Sequence, residues 1–124
     1  MMHRALEAPC DPGEVSTHLL IGNSLPLYRE VLTGTLRTLR PDVPVRSVAP
    51  ADLDAAVACL RPWLVICSAL SSVVEELAPA WIMLNPDEEP ATLVSVAGER
   101  RVIPHPTLDE LVELVDAARQ AMAK

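Results

Sequence analysis

Aromatic side chains are almost missing from this chain: there is no Phe, one Tyr (Tyr28) and two Trp (Trp63 and Trp81), 2% of 124 residues. Its core must then be made of Leu, Val, Ile and Ala, and a site that stacks bases on aromatic platforms is excluded. Basic charge is scarce as well. Ten Lys and Arg stand against seventeen Asp and Glu, a formal net charge of −7. Duplex binding needs clustered cations to displace counterions from phosphates. The densest basic run, Glu99-Arg100-Arg101, reads as a solvated turn. Direct nucleic-acid binding is not expected.

Metal ligands are equally sparse. Cys10, Cys59 and Cys67 share no CxxC or Cys/His spacing, and His3, His18 and His105 are scattered. No metal and no cofactor are expected. Cys59 and Cys67 lie inside apolar segments, where a free Cys usually behaves as a small buried hydrophobe. No stretch approaches the ~18 apolar residues of a membrane span, and Met1 to Glu14 has no apolar run of the kind a signal peptide needs. The expectation is a cytoplasmic protein that does not engage a membrane.

What is present is enough apolar material, 50% of residues, for one domain of ordinary size. Residues 1–16, polar and broken by Pro and Gly, read as a tail, leaving 17–124 as the domain. His18-Leu19-Leu20-Ile21 is a short buried strand ending at Gly22. Ser24 is placed to cap the next helix and Pro26 suits its first turn. Tyr28, Val31, Leu32, Thr35, Leu36 and Leu39 recur at helical spacing. Val43 to Val48 reads as a second strand, pushed to an edge by Pro44. A helix over Asp52–Leu60 turns Leu53, Ala56, Val57 and Leu60 inward. Trp63-Leu64-Val65-Ile66-Cys67 is the most strand-like segment, an apolar run suited to a parallel strand covered on both faces. Ser71–Leu77 is a weak helix, and Trp81–Leu84 a fourth strand.

Thr107 and Glu110 form a capping box before a closing helix, whose apolar stripe is Leu108, Leu111, Val112, Val115, Ala118 and Met122. Strands separated by helical patterns predict an α/β fold with a doubly wound, mostly parallel five-stranded sheet. Residues 86–104 break the pattern. A doubly wound fold wants a helix there, yet Thr92-Leu93-Val94-Ser95-Val96 favours strand and Ala97-Gly98-Glu99 favours a turn. An extra strand or hairpin, with Thr92–Val96 extended and turning back through Gly98, is expected in place of that helix.

The order of elements and several phrases resemble a response-regulator receiver domain of the flavodoxin-like, CheY-like class. Leu20 to Glu30 resembles the first strand and helix start of that family. Leu60-Arg61-Pro62-Trp63-Leu64-Val65-Ile66-Cys67-Ser68 resembles the approach to its phospho-accepting Asp. Val102-Ile103-Pro104-His105-Pro106 resembles its last strand. The resemblance spans about residues 17–122.

The departures from the family bear on function. Its acidic pair falls on Asn23 and Ser24, its acceptor Asp on Ser68, its Ser/Thr near Asn85 and its Lys on His105. A hard cation wants several anionic oxygens, and none remains at these positions. The resemblance therefore implies a degenerate pseudo-receiver, not an enzyme, acting without phosphorylation as a signalling or regulatory module. Asn23, Ser24, Ser68, Asn85 and His105 would form a neutral hydrogen-bonding cluster at the carboxyl ends of the strands. They would either satisfy one another or hold a small ligand.

Receivers commonly bind partners through the fourth helix, last strand and last helix. That implies a face including Val94, Val96, Leu108, Leu111, Val115 and Met122, open to a protein partner or to homodimer formation. Gly22-Asn23-Ser24-Leu25 and His105-Pro106 also resemble blocks of the Gly-Asp-Ser-Leu esterases, which would make Ser24 a nucleophile and His105 its base. The acid of that triad stands three residues before the His, and Val102 occupies the position.

Overall fold

Uninterrupted apolar runs such as Leu64–Cys67 form strands when both of their faces can be covered. The computed structural model of the chain, which describes residues 17–84, 92–104 and 106–122, builds the centre of its sheet from such runs. The order is β1 (Leu19–Gly22), α1 (Pro26–Leu39), β2 (Val45–Ser47), a 3-10 turn (Pro50–Asp52), α2 (Leu53–Leu60) and β3 (Leu64–Cys67). Then come α3 (Ser72–Leu77), β4 (Ala80–Leu84), β5 (Thr92–Val96), β6 (Glu99–Val102) and α4 (Leu108–Met122). The strands lie in the order β2-β1-β3-β4-β5-β6. The first four are parallel, β5 runs antiparallel to β4, and β6 antiparallel to β5.

The sheet is therefore six-stranded and mixed, where five mostly parallel strands were expected. The cause is local. Ala97 (φ 52°) and Gly98 (φ 90°) both take left-handed backbone, the requirement of a two-residue type I′ hairpin turn. Such a turn can only send the chain back beside itself. Thr92–Val96 is extended and returns through Gly98, as its β-favouring residues predict. The consequence for the last strand was not foreseen. The place beside β4 belongs to Thr92–Val96, so Val102 lies one strand further out, on the open edge.

Side chains alternate across the sheet, and two apolar clusters result. On one face α1 (Leu32, Leu36) and α4 (Leu111, Val112, Val115, Ala118) cover Leu19, Ile21, Leu64, Ile66, Ala80, Ile82 and Val94. On the other, α2 (Leu53, Val57) and α3 (Val74) cover Leu20, Val65, Cys67 and Trp81. Helices thus lie on both faces. Val65 and Ile66, both fully buried, belong to opposite clusters, as a central strand requires. α3 is only six residues long, and among the described residues the β6 end of this face is exposed. There Arg100 lies over the Trp81 ring at 5.2 Å and pairs with Glu75 at 3.1 Å.

Helix ends follow the sequence with one exception. The capping box forms: Glu110 N–H donates to Thr107 Oγ1 (3.1 Å) and Thr107 N–H to Glu110 Oε1 (2.8 Å). Ser71 caps α3 through Val74 N–H. Ser24, however, does not cap α1. Pro26 starts that helix, Leu25 precedes it without a side-chain bond, and the Ser24 hydroxyl turns elsewhere. Nor is the α1 stripe as broad as its spacing suggests. Leu32, Thr33 and Leu36 are buried, while Val31 and Leu39 are exposed.

The two described cysteines differ. Cys67 is free and buried. Cys59, read from sequence as a free thiol, is half-buried and disulfide-bonded. Such a bond is typical of oxidising compartments and gives the expected cytoplasmic location no support. Among the described residues no helix is long and apolar enough to cross a membrane.

Candidate functional site

Connections in this sheet leave β1 in opposite directions. The chain goes from β1 through α1 outward to β2, and then through α2 on the other face back to β3, on β1's far side. Open α/β sheets bind ligands beyond the carboxyl ends of strands where the order reverses in this way. Here that point lies between Gly22 of β1 and Cys67 of β3, which are paired in register.

A cavity of about 380 Å³ opens at this point, lined by Ser24, Leu53, Asp54, Ser68, Leu70 and Ser71 among others. Gly22 forms part of its floor. A Cβ at Gly22 would meet Leu53 Cδ1 at 2.9 Å, so the absence of a side chain lets α2 sit close to the sheet. The hydroxyls are tied in two pairs. Ser24 donates from its backbone N–H (2.8 Å) and from its hydroxyl (3.3 Å) to Ser68 Oγ. Ser71 Oγ donates to Asp54 Oδ1 at 2.7 Å. Behind this layer, burial and then the charge of Asp54 push the Cys67 thiol up to about 12. It is uncharged at neutral pH.

Of the five positions read as a polar cluster, three are described. Ser24 and Ser68 do bond to each other. Asn23 is buried beside them, with its Nδ2 3.5 Å from Leu84 O, but its Oδ1 has no partner. Its backbone carbonyl accepts from Arg29 Nη1 at 2.6 Å. Asn85 and His105 lie outside the described residues. Ser24 Oγ–H therefore points to a serine hydroxyl, which is no base, and the esterase likeness gains no support from it. Among the described residues no group of three or more His, Cys, Asp or Glu could hold a metal ion.

Asp54 and Ser71 are the site residues that sequence reasoning missed. Each had been read only as part of a helix, and nothing in their spacing joins the start of α2 to the start of α3.

The expected interaction face is largely corrected. Val94, Leu111 and Val115 are buried in this chain's own core, because the α4 stripe meets the sheet before it can meet a partner. Val96 is partly buried against the same cluster. Leu108 is exposed, and the side chain of Met122 lies outside the described set.

Another surface is open instead. Register aligns Met83, Leu93 and Val102 across β4, β5 and β6, on the face that α3 covers only in part. Met83 and Leu93 are half-buried and Val102 is 57% exposed. Among the described residues β6 is also an open edge. Ile103 N–H bonds Thr92 O, and direction alternates along an antiparallel strand. Val102 and Arg100 therefore turn their N–H and C=O groups outward.

Comparison of the chain with protein-family models, with curated proteins and with solved structures finds no match.

Proposed function

We propose that this chain is a receiver-like regulatory module that works without phosphorylation, by binding another protein strand along β6. The observation that carries the reading is the Met83-Leu93-Val102 row running out to an edge that is unpaired among the described residues. A hairpin stands where a receiver has its switching helix, so the surface is fixed and not gated. An extended partner segment added to β6 would find outward backbone groups at Arg100 and Val102 and an apolar row for alternate side chains. Exposed charge on an edge is also a common guard against unwanted pairing. Arg101, which has no ion-pair partner among the described residues, favours a partner strand carrying acid at the facing position.

Val102→Pro tests the reading, since an edge strand tolerates a missing outward N–H. The variant should keep its circular dichroism and melting temperature while losing at least ~10-fold in partner capture, or in self-association measured by light scattering. Acetyl phosphate with Mg²⁺ should add no phosphoryl mass and change neither quantity. Unaltered binding by a folded Val102→Pro protein, or a phosphoryl adduct that alters binding, would overturn the proposal.

A further inference from the structure

The pocket between β1 and β3 has a donor and acceptor inventory that selects a kind of ligand. Ser68 Oγ accepts twice from Ser24, so its own proton is left to donate. Ser24 Oγ, having given its proton, keeps acceptor capacity. Ser71 Oγ both donates to Asp54 Oδ1 and accepts from Val74 N–H, and has little left to offer. Among the described residues Asp54 Oδ2 has no hydrogen-bond partner and no cationic side chain lines the cavity. Around these groups stand the apolar walls of Pro50, Leu53 and Leu70. The cavity, about 380 Å³, lies within the size range of small-molecule sites.

This inventory turns away the ligands such a fold end usually takes. A phosphoryl group wants fixed cations or several N–H donors, and would meet a lone carboxylate here. Mg²⁺ wants several oxygen ligands in near-octahedral array, and one carboxylate does not supply them. An ammonium suits Asp54 Oδ2. A neighbouring hydroxyl suits the Ser24 acceptor and the Ser68 donor together. We propose that the pocket binds a small primary amine bearing a hydroxyl, with the ammonium on Asp54 and the hydroxyl on the Ser24–Ser68 pair. The placement at the point where strand order reverses is independent support. So is the close approach of α2 over Gly22, which forms the walls. The proposal does not depend on partner binding at β6, which lies at the far edge of the sheet.

Two-dimensional amide NMR on the full chain tests it, with ethanolamine, inorganic phosphate and MgCl₂ as separate probes at matched ionic strength. Ethanolamine should give saturable shifts at Ser24, Asp54 and Ser68; phosphate and Mg²⁺ should give none there. Asp54→Asn, at an exposed position, should fold and weaken ethanolamine binding by about 5–10-fold. That range is modest because the carboxylate is solvent-screened. Ser24→Ala should weaken binding of ethanolamine but not of ethylamine, which lacks the hydroxyl. Should Asp54→Asn perturb α3 through the lost Ser71 bond, Leu70→Trp supplies a second variant that fills the cavity and should abolish the shifts. Saturable phosphate or Mg²⁺ shifts, no saturable ethanolamine shifts, or equal binding by folded Asp54→Asn would each overturn the proposal.

Discussion

Truncating Ile66 to Ala is the most direct test of how this molecule is held together. Ile66 is fully buried in β3, with Ile21 and Ile82 as its register partners on the two neighbouring strands. All three belong to the cluster under α1 and α4. The substitution removes three buried carbons. At about 0.8 kcal/mol per buried methylene the lost transfer term is roughly 2.5 kcal/mol. Flanking strands fixed by hydrogen bonds can close the hole only in part, and the residual cavity raises the cost to about 3–4 kcal/mol. That is a large fraction of a small domain's stability, typically about 5–15 kcal/mol. Urea unfolding followed by Trp fluorescence reads it well, since Trp63 and Trp81 are both buried. Val102→Ala, at an exposed edge position, serves as the internal control and should change stability by no more than about 0.5 kcal/mol. A loss under about 1 kcal/mol for Ile66→Ala, or equal losses for the two variants, would refute the central placement of β3.

Three further outcomes follow from single contacts. The Arg40 guanidinium holds the Asp116 carboxyl below its ordinary range through bonds that include Nε to Oδ1 at 2.8 Å, and Arg119 does the same for Asp42 at 2.8 Å. Carboxylates depressed in the folded state stabilise it above the unfolded value near ~4 and lose that contribution as pH falls through the folded value. The urea midpoint should therefore decline below about pH 4, and Arg40→Met should make that decline shallower. Cys67, with its thiol pushed up to about 12 by burial, should resist a maleimide reagent at pH 8 in the folded protein and react once unfolded; fast labelling of the native state would contradict its burial at the end of β3. Ala97→Asn should raise stability by about 1 kcal/mol, because Ala at φ 52° bears the left-handed penalty and Asn-Gly is the favoured type I′ pair. A lower melting temperature for that variant would contradict the turn geometry.

Elements with an unambiguous signal were legible in the sequence. Leu64–Cys67 is apolar throughout and β-branched in its middle, and it became the buried strand between β1 and β4. Thr107 and Glu110 are a local motif, complete within four residues, and the cap formed as read. Thr92–Val96 announced itself through β-branching and the glycine that follows. What the sequence did not carry was the partner of each strand. Antiparallel and parallel pairing of Thr92–Val96 with Trp81 to Leu84 bury the same residues, so no pattern of hydrophobicity separates them. The short Ala97-Gly98 turn fixes only the antiparallel return of β6 beside β5. The same holds for the site. Ser24 has the right type and place for a helix cap, and nothing local says that Ser68, 44 positions away, competes for its hydroxyl.

The misplaced interaction face has a more general cause. An apolar stripe at helical spacing reports a surface that needs covering, and in a domain this small the chain's own sheet is the nearest cover. Leu111 and Val115 are therefore core, and the apolar stripe of the closing helix is taken up by this chain's own sheet. A docking surface in such a molecule consists of apolar residues that the fold fails to cover, and failure of cover is a property of topology. Met83, Leu93 and Val102 read in sequence like any strand residues. They stay partly open because α3 stops after six residues and because β5 and β6 carry the sheet further outward. Along β6, outward backbone groups and the exposed Val102 side chain lie together, the pairing that strand addition uses for affinity and specificity.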